Sequence, residues 1–292
     1  MLIDLSKKHW QFITLLLLGL TWGSSFILMK QGLKSYDPDE VAMIRISASF
    51  LFLLPFMISK YKLVPRDRYR YLFFAGLLGN GIPAFLFATA QTRIDSSLAG
   101  ILNATAPIFT LLVGWMFFSL AFKRSAAMGI VIGLAGTIYL LVFNKGVGQG
   151  NNYVYAILPL IASVCYAFST NIIKTHLKDL PALMVTAGAL SFIGPPSLIY
   201  LLFSDVPQKA MSSPEHLQNL FFVITLGVVG TSLAVLIFNF LIKHTTVLFA
   251  ASVTYLVPMF AIGWGIFLGE DITIHYFIGI LIILTGVTLA NK

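Results

Sequence analysis

Polar side chains recur at helical spacing inside segments too apolar to face water. Ser96, Asn103 and Thr110 follow one another at intervals of seven, as do Thr225, Ser232 and Asn239. Seven residues are close to two helical turns, so each set falls on one helix face. Thr21, Trp22, Ser24 and Ser25 cluster in the first apolar segment, and Ser163, Tyr166, Ser169, Thr170 and Asn171 in the sixth. Asn80 and Gln91 stand in the third, Thr254 and Tyr255 in the ninth. An amide left unpaired in hydrocarbon costs roughly 2–7 kcal/mol. Such groups either face a wet cavity or bond back to their own helix and stitch neighbours together. Facing a cavity, they would hold a small solute by exchangeable hydrogen bonds. The candidate solute contacts are Trp22, Ser25, Asn80, Gln91, Asn103, Tyr166, Asn171, Asn239 and Tyr255. Trp22 and Tyr166 hold equivalent places in two repeats of the chain, which allows an aromatic pair across a cavity or plain packing.

Bond-making chemistry has no matching residues. The chain has no His-Glu-x-x-His, no Gly-x-Ser-x-Gly and no paired acids within an apolar segment, so no enzyme, cofactor or metal site is expected. The single cysteine, Cys165, rules out an intrachain disulfide and reads as a small packing residue. No Asp, Glu or His falls in the middle of an apolar segment, although proton-driven carriers usually use a buried titratable group there. Arg45 is the one clear charge at depth. It lies six residues past Asp39, roughly 9 Å along a helix. Pairing with Asp37, Asp39 or Glu40, or snorkelling to the surface, would relieve the cost of burying it; substrate contact is the alternative. Glu270 reads as a cap for the following helix or a surface cation ligand.

The elements that must position these groups are membrane helices. Of 292 residues 58% are hydrophobic and only 10% charged, far below the roughly 25% of a soluble domain. Ten apolar runs stand out, at about 10–31, 39–59, 70–91, 96–119, 125–143, 153–175, 182–203, 218–242, 246–268 and 273–291. Each approaches the roughly 20 residues that cross a bilayer. Connections are short and polar, and the longest, Ser204 to Gln218, is no domain. Lys7-Lys8 before an apolar stretch imitates a signal peptide, but the run continues through Phe26-Ile27-Leu28-Met29 and reads as a retained first helix. The net charge of +8 is scattered over short loops and is no nucleic-acid footprint. With the N-terminus inside, thirteen Lys and Arg fall on the cytoplasmic side and five outside, which predicts cytoplasmic termini.

The chain also repeats itself. At an offset of 151, Gly76 meets Gly227, Gly79 meets Gly230, Phe87 meets Phe238 and Pro107 meets Pro258. At 144, Ser25 and Lys30 meet Ser169 and Lys174; at 150, Gly129 and Gly136 meet Gly279 and Gly286. Each half, 1–145 and 146–292, holds five runs, an odd number, so the second must lie upside down relative to the first. Inverted repeats of this sort build secondary transporters with the site at the midplane. Pro107 and Pro258 would then be symmetric kinks, serving as conformational hinges or as packing features. Gly129-x-x-x-Gly133 offers a close-approach face for the last helix or for a second protomer, that is, a homodimer.

The fold class expected is thus all-α, ten transmembrane helices as two inverted five-helix repeats. Trp22-Gly23-Ser24-Ser25-Phe26, Pro38 with Arg45, Pro107, Pro258, Leu268-Gly269-Glu270 and Gly279 with Gly286 resemble, in order, the EamA-type exporters of the drug/metabolite transporter superfamily. The resemblance covers nearly the whole chain. One departure is Phe118-Ser119, where the family often repeats Gly-Glu. The resemblance implies a cavity lined by spans one, three, four, six, eight and nine, and a bacterial inner-membrane setting. The expectation is export of a small neutral or zwitterionic metabolite, such as an amino acid, by alternating access. A membrane-embedded structural or sensory partner that moves nothing is the alternative.

Overall fold

The computed structural model describes residues 7–60, 63–119, 124–143, 152–244 and 253–290. Among these, every regular element is helical. In chain order they are α1 (Lys8–Gly32), α2 (Pro38–Lys60), α3 (Tyr69–Gly76), α4 (Ile82–Ala90), α5 (Ser96–Asn103), α6 (Ala106–Phe118) and α7 (Arg124–Phe143). Then follow α8 (Asn152–His176), α9 (Ala182–Phe203), α10 (Val206–Ser212), α11 (Pro214–Thr225), α12 (Ala234–His244), α13 (Val253–Phe267) and α14 (Ile274–Ala290).

Eight stretches are long and apolar enough to cross a membrane, and two shorter apolar helices, Leu256–Phe267 and Ile274–Leu289, follow them. At 1.5 Å per residue the 15 residues of α13 span about 22 Å, short of a hydrocarbon core of about 30 Å. The residues just before it, 245–252, lie outside the described ones. Leu16, Leu51, Phe117, Val131, Leu202, Phe203 and Leu281 point outward and stay exposed. Such a belt suits hydrocarbon and would be an aggregation liability in water.

Local chemistry explains the interruptions. Pro107 cannot donate to Asn103, so the fourth run splits into α5 and α6 around Ala104-Thr105. Pro258, its repeat partner, sits inside the unbroken α13. The pair expected as symmetric kinks is therefore one break and one continuous helix. The Ser204–Gln218 connection contains the short α10, and Ser213 then caps α11 by accepting from the His216 N–H at 3.2 Å, with Pro214 at the first turn.

The helices pack in pairs that exchange roles between the halves. α1 packs on α13 as α8 packs on α6, and α1 meets α11 and α12 as α8 meets α3 and α4. α2 lies along α9, and α7 along α14. The last pair uses the Gly129-x-x-x-Gly133 face. A Cβ on Gly286 would come within 2.4 Å of the Gly133 nitrogen and 2.6 Å of the Gly129 oxygen, so only glycine allows this approach. The fold's own last helix therefore occupies that face.

Candidate functional site

Two stretches of wider π-helical bonding interrupt the long helices, at Leu77–Gly81 between α3 and α4 and at Leu226–Leu233 between α11 and α12. They are equivalent at the 151-residue offset. A π turn frees backbone carbonyls and rotates the side chains that follow. Other helices meet the freed groups. The Trp22 indole N–H donates to Gly230 O at 3.1 Å, and the Ser49 hydroxyl lies 2.8 Å from both Gly227 O and Arg45 O. Ser232 in turn donates to Ser49 O at 3.0 Å. A Cβ on Gly227 would meet Arg45 O at 2.6 Å; reciprocally, one on Gly76 would meet Ala189 O at 2.3 Å. Ser169 completes the second contact by donating to Ala75 O at 2.9 Å.

This staple fixes the Arg45–Ser49 stretch of α2 against the second π segment. The Arg45 Nε donates to the Thr231 hydroxyl at 3.0 Å, within the second π segment. The carboxylates expected to neutralise it are engaged elsewhere. Lys209 pairs with Glu40 at 2.7 Å and Asp37 at 3.0 Å, and Tyr200 donates to Asp39 at 2.5 Å. Hydrogen bonding to Glu40, then to Asp37, holds the Lys209 ammonium above its ordinary value despite some burial. Among the described residues no carboxylate pairs with Arg45, and its Nη1 and Nη2 have no protein partner yet are not sealed from open space. The Tyr166 phenol lies within electrostatic range of it.

The structure sorts the nine candidate contacts by what their polar atoms do. Trp22 is bonded to Gly230 O, and its ring meets Phe238 edge-on at 5.2 Å. Tyr166 instead stacks on Phe87 at 6.1 Å, so Trp22 and Tyr166 each pack on the opposite half's phenylalanine rather than on each other. Ser25 donates to Thr21 O of its own helix. Asn171, buried, divides its amide between Thr110 O at 3.0 Å and Ala167 O at 2.9 Å, joining α8 to α6. Gln91 is wholly buried at the end of α4, its Oε1 without a partner. Asn103, at the break in the fourth run, also leaves a buried Oδ1 unpaired. Among the described residues, neither the Asn80 amide nor the Tyr166 hydroxyl has a hydrogen-bond partner, and neither is among the sealed, unpaired atoms. The side chains of Asn239 and Tyr255 lie outside the described residues.

The seven-residue faces do not survive as faces. In the fourth run the break separates Asn103 from Thr110, and Thr110 bonds back to Ala106 O. In the eighth run the π segment shifts the phase, leaving Thr225 exposed on the outside and Ser232 buried against α2.

The model of the EamA-like transporter family matches twice, at residues 9–142 and 154–292. The chain belongs to the EamA-like transporter family. It is a membrane transporter and not an enzyme. An Escherichia coli relative named as the uncharacterized inner membrane transporter YedA is 28% identical over 265 residues, covering 89% of this chain and 83% of that one. An uncharacterized transporter of Archaeoglobus fulgidus is 22% identical and covers 98% of this chain and 99% of its own. A solved structure described only as a crystal structure of a protein superposes with a TM-score of 0.65 at 16% identity, covering 97% of each chain, which supports the fold alone.

In this EamA-like chain the Leu268-Gly269-Glu270 motif has a mechanical reading. Gly269 ends α13 at φ +77°, a left-handed turn that glycine adopts without strain, and the Glu270 N–H returns to Gly265 O at 2.9 Å. The turn lays the carboxylate on the start of α5. It accepts from the Ser96 and Ser97 N–H groups at 2.9 and 3.1 Å and from both serine hydroxyls. Glu270 therefore caps a helix of the other half, not the helix that follows it. Gly265 leaves the room, since a Cβ there would meet Ser97 Oγ at 1.9 Å and Glu270 Oε2 at 2.5 Å. Nearby, Lys30 donates to Gln91 O and Ile94 O, and Tyr276 donates to Asp95. Burial, and then the Glu270 carboxylate, pushes Asp95 up from the usual carboxyl range. The equivalent left-handed residue in the first half is Ser119, at φ 53°. Ser119 thus answers to Gly269, and Leu120 rather than Ser119 stands in the place of Glu270.

Proposed function

We propose that the chain is a secondary transporter of the inner membrane, built as ten spans in two inverted halves, 1–145 and 146–292, with both termini cytoplasmic. It exports a small neutral or zwitterionic metabolite, amino acid-like in character, by alternating access. The observation that carries this reading is Arg45, a guanidinium within the apolar α2 that no carboxylate among the described residues pairs, with the Tyr166 phenol of α8 in its electrostatic range. Groups left unpaired in hydrocarbon would be costly. An aqueous solute path satisfies them. The role-exchanging contacts between halves support an inverted arrangement, because two copies related by a two-fold axis must contact each other reciprocally. The inner-membrane placement follows the name of the Escherichia coli relative. The test is reconstitution into proteoliposomes with a panel of labelled amino acids and related metabolites. Exchange of internal for external solute is expected for at least one of them. A folded preparation that exchanges none would point to a structural or sensory partner instead.

A further inference from the structure

The Arg45 guanidinium has five donors, and among the described residues one is used, the Nε–H on Thr231. The four N–H groups of Nη1 and Nη2 form the flat, paired edge that matches a carboxylate oxygen for oxygen. A full charge at this depth needs a counter-charge or water, and the three acids at the start of α2, Asp37, Asp39 and Glu40, are already engaged by Lys209 and Tyr200. The edge is also held in place. Ser49, Ser232 and the close approach of Gly227 pin the α2 backbone against the π segment that carries Thr231, so little ordering remains when a ligand arrives. Tyr166 adds, within electrostatic range, a hydroxyl with no hydrogen-bond partner among the described residues. We infer that Arg45, oriented by Thr231 and assisted by Tyr166, anchors a carboxylate of the transported solute, so that the cargo is a free carboxylic acid, amino acids included, rather than its amide or amine counterpart. A single guanidinium balances one negative charge, which suits a carboxylate better than a phosphate carrying −1.5 to −2. The second half supplies no matching cation, because the residue equivalent to Arg45 is Ala189.

This inference rests on the transport reading, and two measurements separate them. The full chain in nanodiscs is titrated with leucine, phenylalanine and threonine, and with the carboxamide of each, following intrinsic tryptophan fluorescence; the same solutes are then tested for exchange in proteoliposomes. Any of these acids that binds should do so roughly 10- to 100-fold more tightly than its amide, as expected for one charge-assisted, two-pronged contact. Arg45→Gln should remove that preference. Arg45→Lys, which keeps the charge but loses the fork, should retain part of it and guards against a folding defect. Amides that bind and exchange as well as the acids would overturn the carboxylate anchor and leave transport standing. Acids that bind selectively yet never cross would support the anchor and overturn transport. If neither acids nor amides bind or exchange in folded protein, both fall.

Discussion

Replacing Glu270 with glutamine tests whether this carboxylate is a cap or a coupling group. The carboxylate accepts two backbone N–H groups and two hydroxyls at the first turn of α5, where Ser96 and Ser97 are almost fully buried. Glutamine keeps one acceptor oxygen, enough for the Ser96 pair, but turns an NH2 toward the Ser97 N–H. That leaves one buried donor unpaired, at about 1–3 kcal/mol. Losing negative charge at a helix N-terminus adds about 0.3–1 kcal/mol. Together these give a loss of about 1.3–4 kcal/mol, which lowers the melting temperature by several degrees. Gly265→Ala should mimic the loss by pushing the carboxylate away, and the two changes should not add, since both break one contact. The assay is thermal unfolding in detergent, with solute exchange measured on the same preparation after reconstitution. Exchange should persist in Glu270→Gln. An unchanged melting temperature would refute the cap, and lost exchange with normal melting and solute binding would show that Glu270 couples transport.

Three further outcomes are expected. Asp95 holds its proton more tightly when folded than unfolded, because burial and then Glu270 raise it; its contribution is full below about pH 4 and is lost as pH rises through the folded value. Asp95→Asn, which can still accept from Tyr276, should therefore raise the melting temperature at pH 8 but not at pH 4; a shift of equal size at both would contradict that sign. Single cysteines at positions 62 and 209, in a Cys165→Ala background, should label oppositely in whole cells, and labelling of 62 alone by an impermeant reagent would invert the topology. Asn103→Leu and Asn239→Leu should each weaken solute binding by about 0.5–1.5 kcal/mol; wild-type binding by both would leave these amides as packing groups.

The helices were legible because hydropathy reports them directly, and the pairing of Gly76 and Gly79 with Gly227 and Gly230 marked the repeat, though not the π segments that fall there. Their effect was not legible. Seven-residue spacing assumes an uninterrupted helix, and both the break before Pro107 and the π turn at Leu226–Leu233 change the phase. Trp22, Ser25 and Asn171 have polar atoms that satisfy main-chain groups, a fate that residue type alone cannot distinguish from facing a solute. The Glu270 contact joins residues 174 apart in the chain, and its only local sign was the glycine that turns the chain back.

What the two halves share and what they do not share divide along physical lines. The shared features are close approaches: Gly76 on Ala189 and Gly227 on Arg45, Gly79 on Ser169 and Gly230 on Ser25, Phe87 with Tyr166 and Phe238 with Trp22. Each depends on small residues or rings, carries no charge, and can be satisfied equally in both copies. Two charges, by contrast, are unshared. Arg45 answers to Ala189, and Glu270 to Leu120. A scaffold that alternates between two related arrangements gains from symmetric, apolar contacts, since neither arrangement is then favoured by the packing itself. A binding site for an asymmetric solute gains from the opposite. One charged end of the solute needs one cation, and a second arginine at position 189 would create a competing pose. The single guanidinium over a symmetric frame is the division of labour expected when the frame moves and one wall recognises.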